Sequence, residues 1–156
     1  MPIKQITPMS EVDNYLEEQL ERREQAIIRN LEYVGEQCVN EAKRLPSPPE
    51  SMRRFKHQPN YIDDTGNLRS SVGYVIVKNS KVVKQSGFAV VKTGREGVQS
   101  GAAYARQLVR EFPRGIVLIV VAGMNYAAYV SAKGYNVLDS SELLAEQLVP
   151  NLMKQL

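Results

Sequence analysis

One apolar stripe constrains the fold of this chain more than any other feature. Between residues 10 and 45, apolar side chains recur at steps of three, four and seven, and Arg23 is the one polar member. This spacing places them along one face of a helix. The stripe consists of Val12, Tyr15, Leu16, Leu20, Ile27, Ile28, Leu31, Val34, Cys38, Ala42 and Leu45. Ser10 can cap the start, and Pro46 prevents continuation.

The predicted helix is long for the size of the chain. About 35 residues at about 1.5 Å each span about 50 Å, more than the width of a compact domain of 156 residues. We therefore expect part of the helix to project from the body or to pack on another subunit.

Composition, with 43% hydrophobic and 24% charged residues, indicates one globular domain over residues 1–156, and the helices and strands expected below make its fold α+β. We expect a flexible arm (1–9), the long helix (10–45), a proline-rich loop (46–62) and an α+β core (63–156). The apolar run 115–124 is too short to span a membrane, and the first thirty residues lack signal-peptide order. The sequence therefore predicts synthesis in the cytosol and no membrane partner. Cys38 lies on the helical stripe as a buried hydrophobe.

The core is predicted to contain about four strands in a mainly antiparallel sheet packed against the long helix. Residues 72–77 and 82–91 should form a hairpin around a turn at 78–81. The apolar run 116–121 should be the central strand, covered on both faces. Residues 135–138 should add a last short strand.

Helices are expected between and after these strands. The glycine-rich residues 93–101 indicate a flexible connection, followed by a short helix over 102–112. Asn125 can cap a further short helix that Gly134 ends. Asp139 or Ser140 can cap a C-terminal helix, which Pro150 should bend or interrupt.

Catalytic groups are scarce in this sequence. His57 is the single histidine and lies among basic residues. A serine nucleophile elsewhere in the chain would therefore have no other histidine to act as its base. Asp63 and Asp64 form the tightest acidic pair, with helix capping as the ordinary role and metal binding in a small nuclease as the alternative. We predict that the chain is not an enzyme and uses no cofactor, metal or small-molecule substrate.

A basic cluster raises the question of nucleic acid. Arg53, Arg54 and Lys56 follow the prolines, whereas the other charges are mixed in sign. Such a cluster is typical of a solvated loop, with contact to DNA or to an acidic protein face as the alternative. No basic helix, zinc-finger spacing or ribonucleoprotein signature accompanies it, so specific nucleic-acid binding is not expected.

Two short motifs suggest a family. Thr65-Gly66-Asn67-Leu68-Arg69-Ser70-Ser71-Val72 leads into a strand, and Tyr126-Ala127-Ala128-Tyr129-Val130 precedes a glycine. Together with the order of the elements, they resemble the tail-completion (head-to-tail joining) family of tailed bacteriophages and prophages. That family typically has Thr-Gly-x-Leu-Arg-x-Ser and, later, Tyr-Ala-x-Tyr-Val.

The resemblance implies a small α+β structural subunit that forms a ring at the virion neck. Its implied partners are further copies of itself and neighbouring head-connector or tail-tube proteins. Its implied location is the host bacterial cytoplasm during assembly and then the virion neck or tail. The candidate interaction residues are Thr65, Gly66, Leu68, Arg69, Tyr126, Ala127 and Tyr129, with maintenance of the fold as the alternative role of each.

Overall fold

The computed structural model describes residues 3–4, 6–44, 61 and 63–156, and their fold is α+β. The elements in chain order are α1 (Met9–Arg44), α2 (Asn67–Ser70), β1 (Val72–Lys78), β2 (Lys81–Ser86), α3 (Arg95–Val109), β3 (Ile116–Ala122), α4 (Ala127–Ala132) and α5 (Asp139–Met153). The long N-terminal helix is confirmed. Leu45 and most of the predicted proline-rich loop lie outside the described residues.

The start of α1 differs from the prediction. The carbonyl of Pro8 accepts hydrogen bonds from the amides of Glu11 and Val12, at 3.0 and 3.4 Å. Ser10 consequently lies inside the helix and is not its cap. The backbone of the preceding proline provides the first acceptor, which a search for capping side chains does not consider.

Within the described residues the sheet has three strands in the order β2-β1-β3, and both pairs are antiparallel. The prediction of about four strands is therefore too high for this part of the chain. Residues 135–138 form no strand and lead into α5. The prediction for 116–121 is also wrong in position, because β1 is the central strand and β3 lies at an edge. β1 holds the central position although it includes Gly73 and Tyr74, because β2 and β3 pair with its two sides.

The predicted hairpin is confirmed. Asn79 and Ser80 adopt positive φ values of 50° and 64°, as the two-residue turns that match strand twist require. The pairing shifts register around Val83, which makes it the extra residue of a β-bulge. β2 ends at Ser86, earlier than predicted, because Gly87 (φ 96°) redirects the chain and brings Phe88 over Gly73.

The sheet is sandwiched between helices. Tyr74, Ile76 and the other even-numbered residues of β1 face α1, in a core that Val149 and Met153 of α5 also join. Val75 and Val77 face the opposite way, toward Ala105 and Val109 of α3. All of β1 except Lys78 is buried as a result.

Helix α3 begins at Arg95, so the predicted flexible connection over 93–101 is wrong. Its glycines allow close approach instead of flexibility. A Cβ on Gly97 would lie 2.0 Å from the carbonyl oxygen of Asn67, and one on Gly101 would lie 2.4 Å from that of Ser71. The missing side chains let α3 pack directly on the backbone of α2 and on the residue before β1.

The caps of the last two helices also differ from the prediction. Tyr126 precedes α4 without a side-chain cap, so Asn125 does not have this role. Gly134 follows α4 with φ 85°, as predicted for a helix stop. At α5 the Asn136 side chain accepts the amide of Ser140 at 3.1 Å, a role predicted for Asp139 or Ser140. Pro150 lies inside α5 without interrupting it.

Candidate interaction surfaces

The first motif binds one loop of the chain tightly. Gly66 (φ 80°) is so close to the loop before α3 that a Cβ would lie 2.1 Å from the carbonyl oxygen of Val91. Ser70 Oγ accepts the amide of Val91 at 2.7 Å, and the carbonyl of Thr65 accepts the amide of Thr93 at 3.1 Å. Asn67 Oδ1 accepts the amide of Gly97 at 3.2 Å. These contacts join α2 to the start of α3.

Arg69 connects the motif to the end of the long helix. One guanidinium nitrogen lies 3.2 Å from Oδ2 of the buried Asp63, and the other donates to the backbone carbonyl of Lys43. Lys92 Nζ lies 3.7 Å from the same carboxylate oxygen. Burial, and then the nearby charge of Arg69, lower the pKa of Lys43. Asp63 therefore balances two cations where α1, α2 and the loop before α3 meet.

The structure brings part of the second motif to the first. Leu68 and Ala127 belong to one buried cluster, whose other buried members are Tyr61, Met124 and Val137. Tyr126, the residue before Ala127, is 37% exposed, and its pKa is raised by burial and then by the charges of Asp63 and Glu96. The apolar part of both motifs thus forms one small core beside the sheet.

Three of the seven candidate residues reach the surface. Thr65 is exposed, Tyr126 is partly exposed, and Tyr129 is 62% exposed with the Lys133 ammonium 4.7 Å from its ring centroid. Gly66, Leu68, Arg69 and Ala127 make contacts inside the chain. Those contacts support maintenance of the fold for the four inner residues and leave Thr65, Tyr126 and Tyr129 as the exposed candidates.

The predicted nucleic-acid cluster, Arg53, Arg54 and Lys56, lies outside the described residues, and its role stays a prediction. In the described part of the chain, no group of three His, Cys, Asp or Glu side chains could hold a metal ion. Among the described helices, none combines the length and apolar character needed to cross a membrane.

A larger apolar surface lies at the beginning of α1. Residues 9–23, called the projecting segment below, precede the first buried residue of the helix, Ile28. Leu16 is 52% and Leu20 64% exposed, and Val12 lies one turn earlier on the same face. Leu156 lines a groove with Leu16 and Leu20 at the base of the segment.

The two edges of the sheet differ in character. β2 is exposed along most of its length and has Lys81 and Lys84 beside Val82 and Val83. β3 is apolar throughout. Sequence reasoning missed the β3 edge, because a continuous apolar run looks the same for a central strand and for an uncovered edge. The lysines of β2 were the available signal that this strand is an edge.

Two grooves border β3. One, of about 280 Å³, lies toward α3 and α4 and is lined in part by Tyr104, Leu108 and Val121. The other, of about 290 Å³, lies toward α1 and α5 and is lined in part by Leu118, Val120 and Glu142. Val120 and Leu138 line both grooves.

Comparison of the chain with models of protein families, with curated protein sequences and with solved structures found no match.

Proposed function

We propose that this chain is a structural subunit of a phage or prophage neck or tail, acting in tail completion or head-to-tail joining. It works by assembling into a ring with copies of itself and by docking to neighbouring head-connector or tail-tube proteins. The phage assignment rests on the resemblance of the two motifs. The observation that supports assembly is the projecting segment with its exposed apolar stripe.

The stripe is long enough to matter energetically. Complete burial of a leucine side chain stabilises by about 1.5 to 3 kcal/mol relative to exposure. Leu16 and Leu20 are more than half exposed, so most of that free energy is still available to an interface. A contiguous apolar surface on a helix that projects from its body is typical of a protein-binding site.

Charge favours one arrangement of copies over another. The projecting segment contains Glu11, Asp13, Glu17, Glu18 and Glu21 against Arg22 and Arg23. The whole chain has 20 Lys and Arg against 17 Asp and Glu, so the remainder of the chain is basic. Two projecting segments therefore repel each other, whereas a segment and the body of a neighbour attract. Such head-to-tail contacts generate rings when the rotation closes.

The test is the solution mass across a concentration series at low and high salt, measured by light scattering. We expect the wild-type chain to grow reversibly to a defined multimer, and the apolar part of the interface to persist at high salt. Leu16→Gln combined with Leu20→Gln should shift assembly to much higher concentration, since glutamine keeps helix propensity but removes the apolar surface.

Asn14→Gln is the matched control, because Asn14 is exposed on the other side of the same helix. It should assemble like wild type. A wild-type chain that remains monomeric at every concentration, or a Leu16/Leu20 variant that assembles normally, would contradict the proposal.

A further inference from the structure

We propose that the sheet continues from one copy to the next, with the free edge of β2 in one subunit pairing with the free edge of β3 in its neighbour. This inference rests on the self-assembly proposed above and adds a second contact to that of the projecting segment. The observations that carry it are the directions of the edge backbone groups and the opposite charges beside the two edges.

The backbone of β3 has outward hydrogen-bonding groups at alternate residues. Gly123 donates its amide to the carbonyl of Ser71, and Asn79 donates to the carbonyl of Gly115. In an antiparallel ladder such pairs alternate with pairs whose groups point away from the partner. The outward groups therefore belong to Ile116, Leu118, Val120 and Ala122. In the described part of the chain, no hydrogen bond joins the outward groups of Leu118 and Val120 to another element.

The β3 edge lacks the usual protection of an exposed strand. Natural sheets block their edges with charged residues, prolines or bulges. β3 reads Ile-Val-Leu-Ile-Val-Val-Ala and pairs with β1 without a register shift. Leu138 lies beside its C-terminal half, where it lines both grooves together with Val120 and packs with Ala122 against the same buried cluster. An added strand would therefore pair first with the outward groups of Ile116 and Leu118.

β2 presents the complementary edge. Because the amides of Gly73, Val75 and Val77 point toward β3, those of Tyr74 and Ile76 point toward β2. The backbone groups of their partners, Ser86 and Lys84, point back toward β1. The amide of Gln85, which lies between them, is therefore directed away from the sheet. Gln85 is exposed, and the described residues leave this edge uncovered.

Electrostatics selects the pairing of unlike edges. Lys84 lies opposite Ile76 on the sheet face that carries α1, and its ammonium lies 3.6 Å from Glu32. Glu142 lies on that same face beside β3, and Asp139 is close to it in α5. Pairing of β2 with β2 would place lysines together, and pairing of β3 with β3 would place acids together. Pairing of β2 with β3 puts the lysines beside the acids.

This pairing is head-to-tail and fits a closed ring. β2 and β3 are both antiparallel to β1, so they run in the same direction. A rotation axis that runs along the strands preserves that direction, so the new pair is parallel. Each subunit then uses both of its edges, and no strand of a closed ring remains open.

The primary test compares Gln85→Pro with Gln85→Ala in the full chain. Both remove the exposed side chain, but only proline removes the outward amide, and proline is tolerated at outward positions of edge strands. We expect the proline variant to assemble about tenfold more weakly than the alanine variant, with the same circular dichroism spectrum and a similar unfolding midpoint. Equal assembly of the two folded variants would overturn the inference.

A charge exchange tests the pairing independently. Lys84→Glu alone and Glu142→Lys alone should each weaken assembly, because each puts like charges together across the interface. The double variant should recover most of the wild-type assembly at low salt. Additive weakening in the double variant would overturn the pairing of β2 with β3. If Gln85→Pro fails to fold, this charge exchange alone decides between pairing and no pairing.

The outcomes separate this inference from the proposed function. If the Leu16/Leu20 variant fails to assemble while Gln85→Pro and both charge variants assemble normally, the sheet-edge contact is wrong and self-assembly stands. A wild-type chain that never assembles contradicts both.

Discussion

Gly35 of α1 lies directly against the ring of Tyr74 on the central strand. A Cβ built on Gly35 would come within 2.7 Å of two ring carbons, closer than real Cβ atoms approach a neighbour. Tyr74 is 1% exposed, and its hydroxyl donates to Glu36 at 2.9 Å, so the ring has little freedom to move. This contact sets how closely the long helix approaches the sheet.

Gly35→Ala is expected to destabilise the fold even though alanine is the better helix former. Helix propensity favours alanine by about 1 kcal/mol, whereas overpacking of a fixed core costs about 1 to 3 kcal/mol. We therefore expect a lower free energy of unfolding in urea. Adding Tyr74→Leu should make Gly35→Ala less harmful, because the smaller side chain vacates the clashing position. A stabilised single variant would show that the ring yields.

Gly66→Ala tests the close approach in the first motif, and Gly134→Ala is its matched control. Both glycines have positive φ, 80° and 85°, so both substitutions carry about 1 to 2 kcal/mol of backbone strain. Gly66 alone is crowded, since nothing lies within 4 Å of a Cβ on Gly134. We expect Gly66→Ala to cost at least about 2 kcal/mol more than the control in urea unfolding. Equal losses of unfolding free energy in the two variants would mean that the loop around Val91 moves aside without an energetic cost.

Asp63→Asn should destabilise strongly because it leaves Arg69 and Lys92 near an uncharged amide. Removing one partner of a buried ion pair typically costs about 3 kcal/mol or more. Glu18→Gln is the control, since it removes a carboxylate from the exposed pair with Arg22 and should change stability by less than about 1 kcal/mol. The free energies of unfolding of both variants decide this. Similar losses would show that Asp63 contributes little beyond an ordinary surface charge.

Stability should fall at alkaline pH. Burial raises the pKa of Tyr61, Tyr74 and Cys38, whose ordinary values are 10.0, 10.0 and 9.0. Each group keeps its proton in the folded chain at a pH where the unfolded chain has lost it, so stability decreases as pH rises above those values. The lowered pKa of Lys43 acts in the opposite direction, because deprotonation of that ammonium relieves its burial.

The free energy of unfolding, measured at a series of pH values from about 8 to about 11, tests this expectation. The pKa of Tyr126 is raised by burial as well, so four groups act toward lower stability against Lys43 alone, and we expect a net decrease. Tyr74→Phe should be less stable at neutral pH, having lost the bond to Glu36, and should show a shallower decrease. An unchanged slope in that variant would mean that Tyr74 ionises equally easily in the folded and unfolded chains.

The sequence predicted local structure well where one residue pattern was sufficient. The apolar stripe through Ile28, Leu31 and Val34 predicted α1, and Asn79 and Ser80 predicted the hairpin turn. The place of β3 in the sheet could not be predicted in this way, because strand order depends on which neighbours cover a strand.

At the candidate surfaces, too, local patterns could be predicted from the sequence, whereas tertiary contacts could not. Gly97 and Gly101 indicated a loop because glycine disfavours helices, yet tertiary packing of α3 on Asn67 and Ser71 decides their conformation. The first motif was visible in the sequence, but its partner Val91 lies 21 residues beyond Ser70. Likewise, exposure of Leu16 and Leu20 follows from where the body of the protein ends and not from the stripe itself.

The packing of α5 on α1 has a consequence for the order of folding. Ser141 Oγ donates to the carbonyl of Cys38 at 2.7 Å across 103 residues, and Asn30 bonds the carbonyl of Leu152 across 122. Closing such long loops has a high entropic cost before any contact compensates for it, so the hairpin should form first and the two helices should join late. Until then the apolar stripe of α1 stays exposed to non-native contacts. The rate at which α5 docks on α1 therefore sets how long the folding chain needs a low concentration or a chaperone to avoid aggregation.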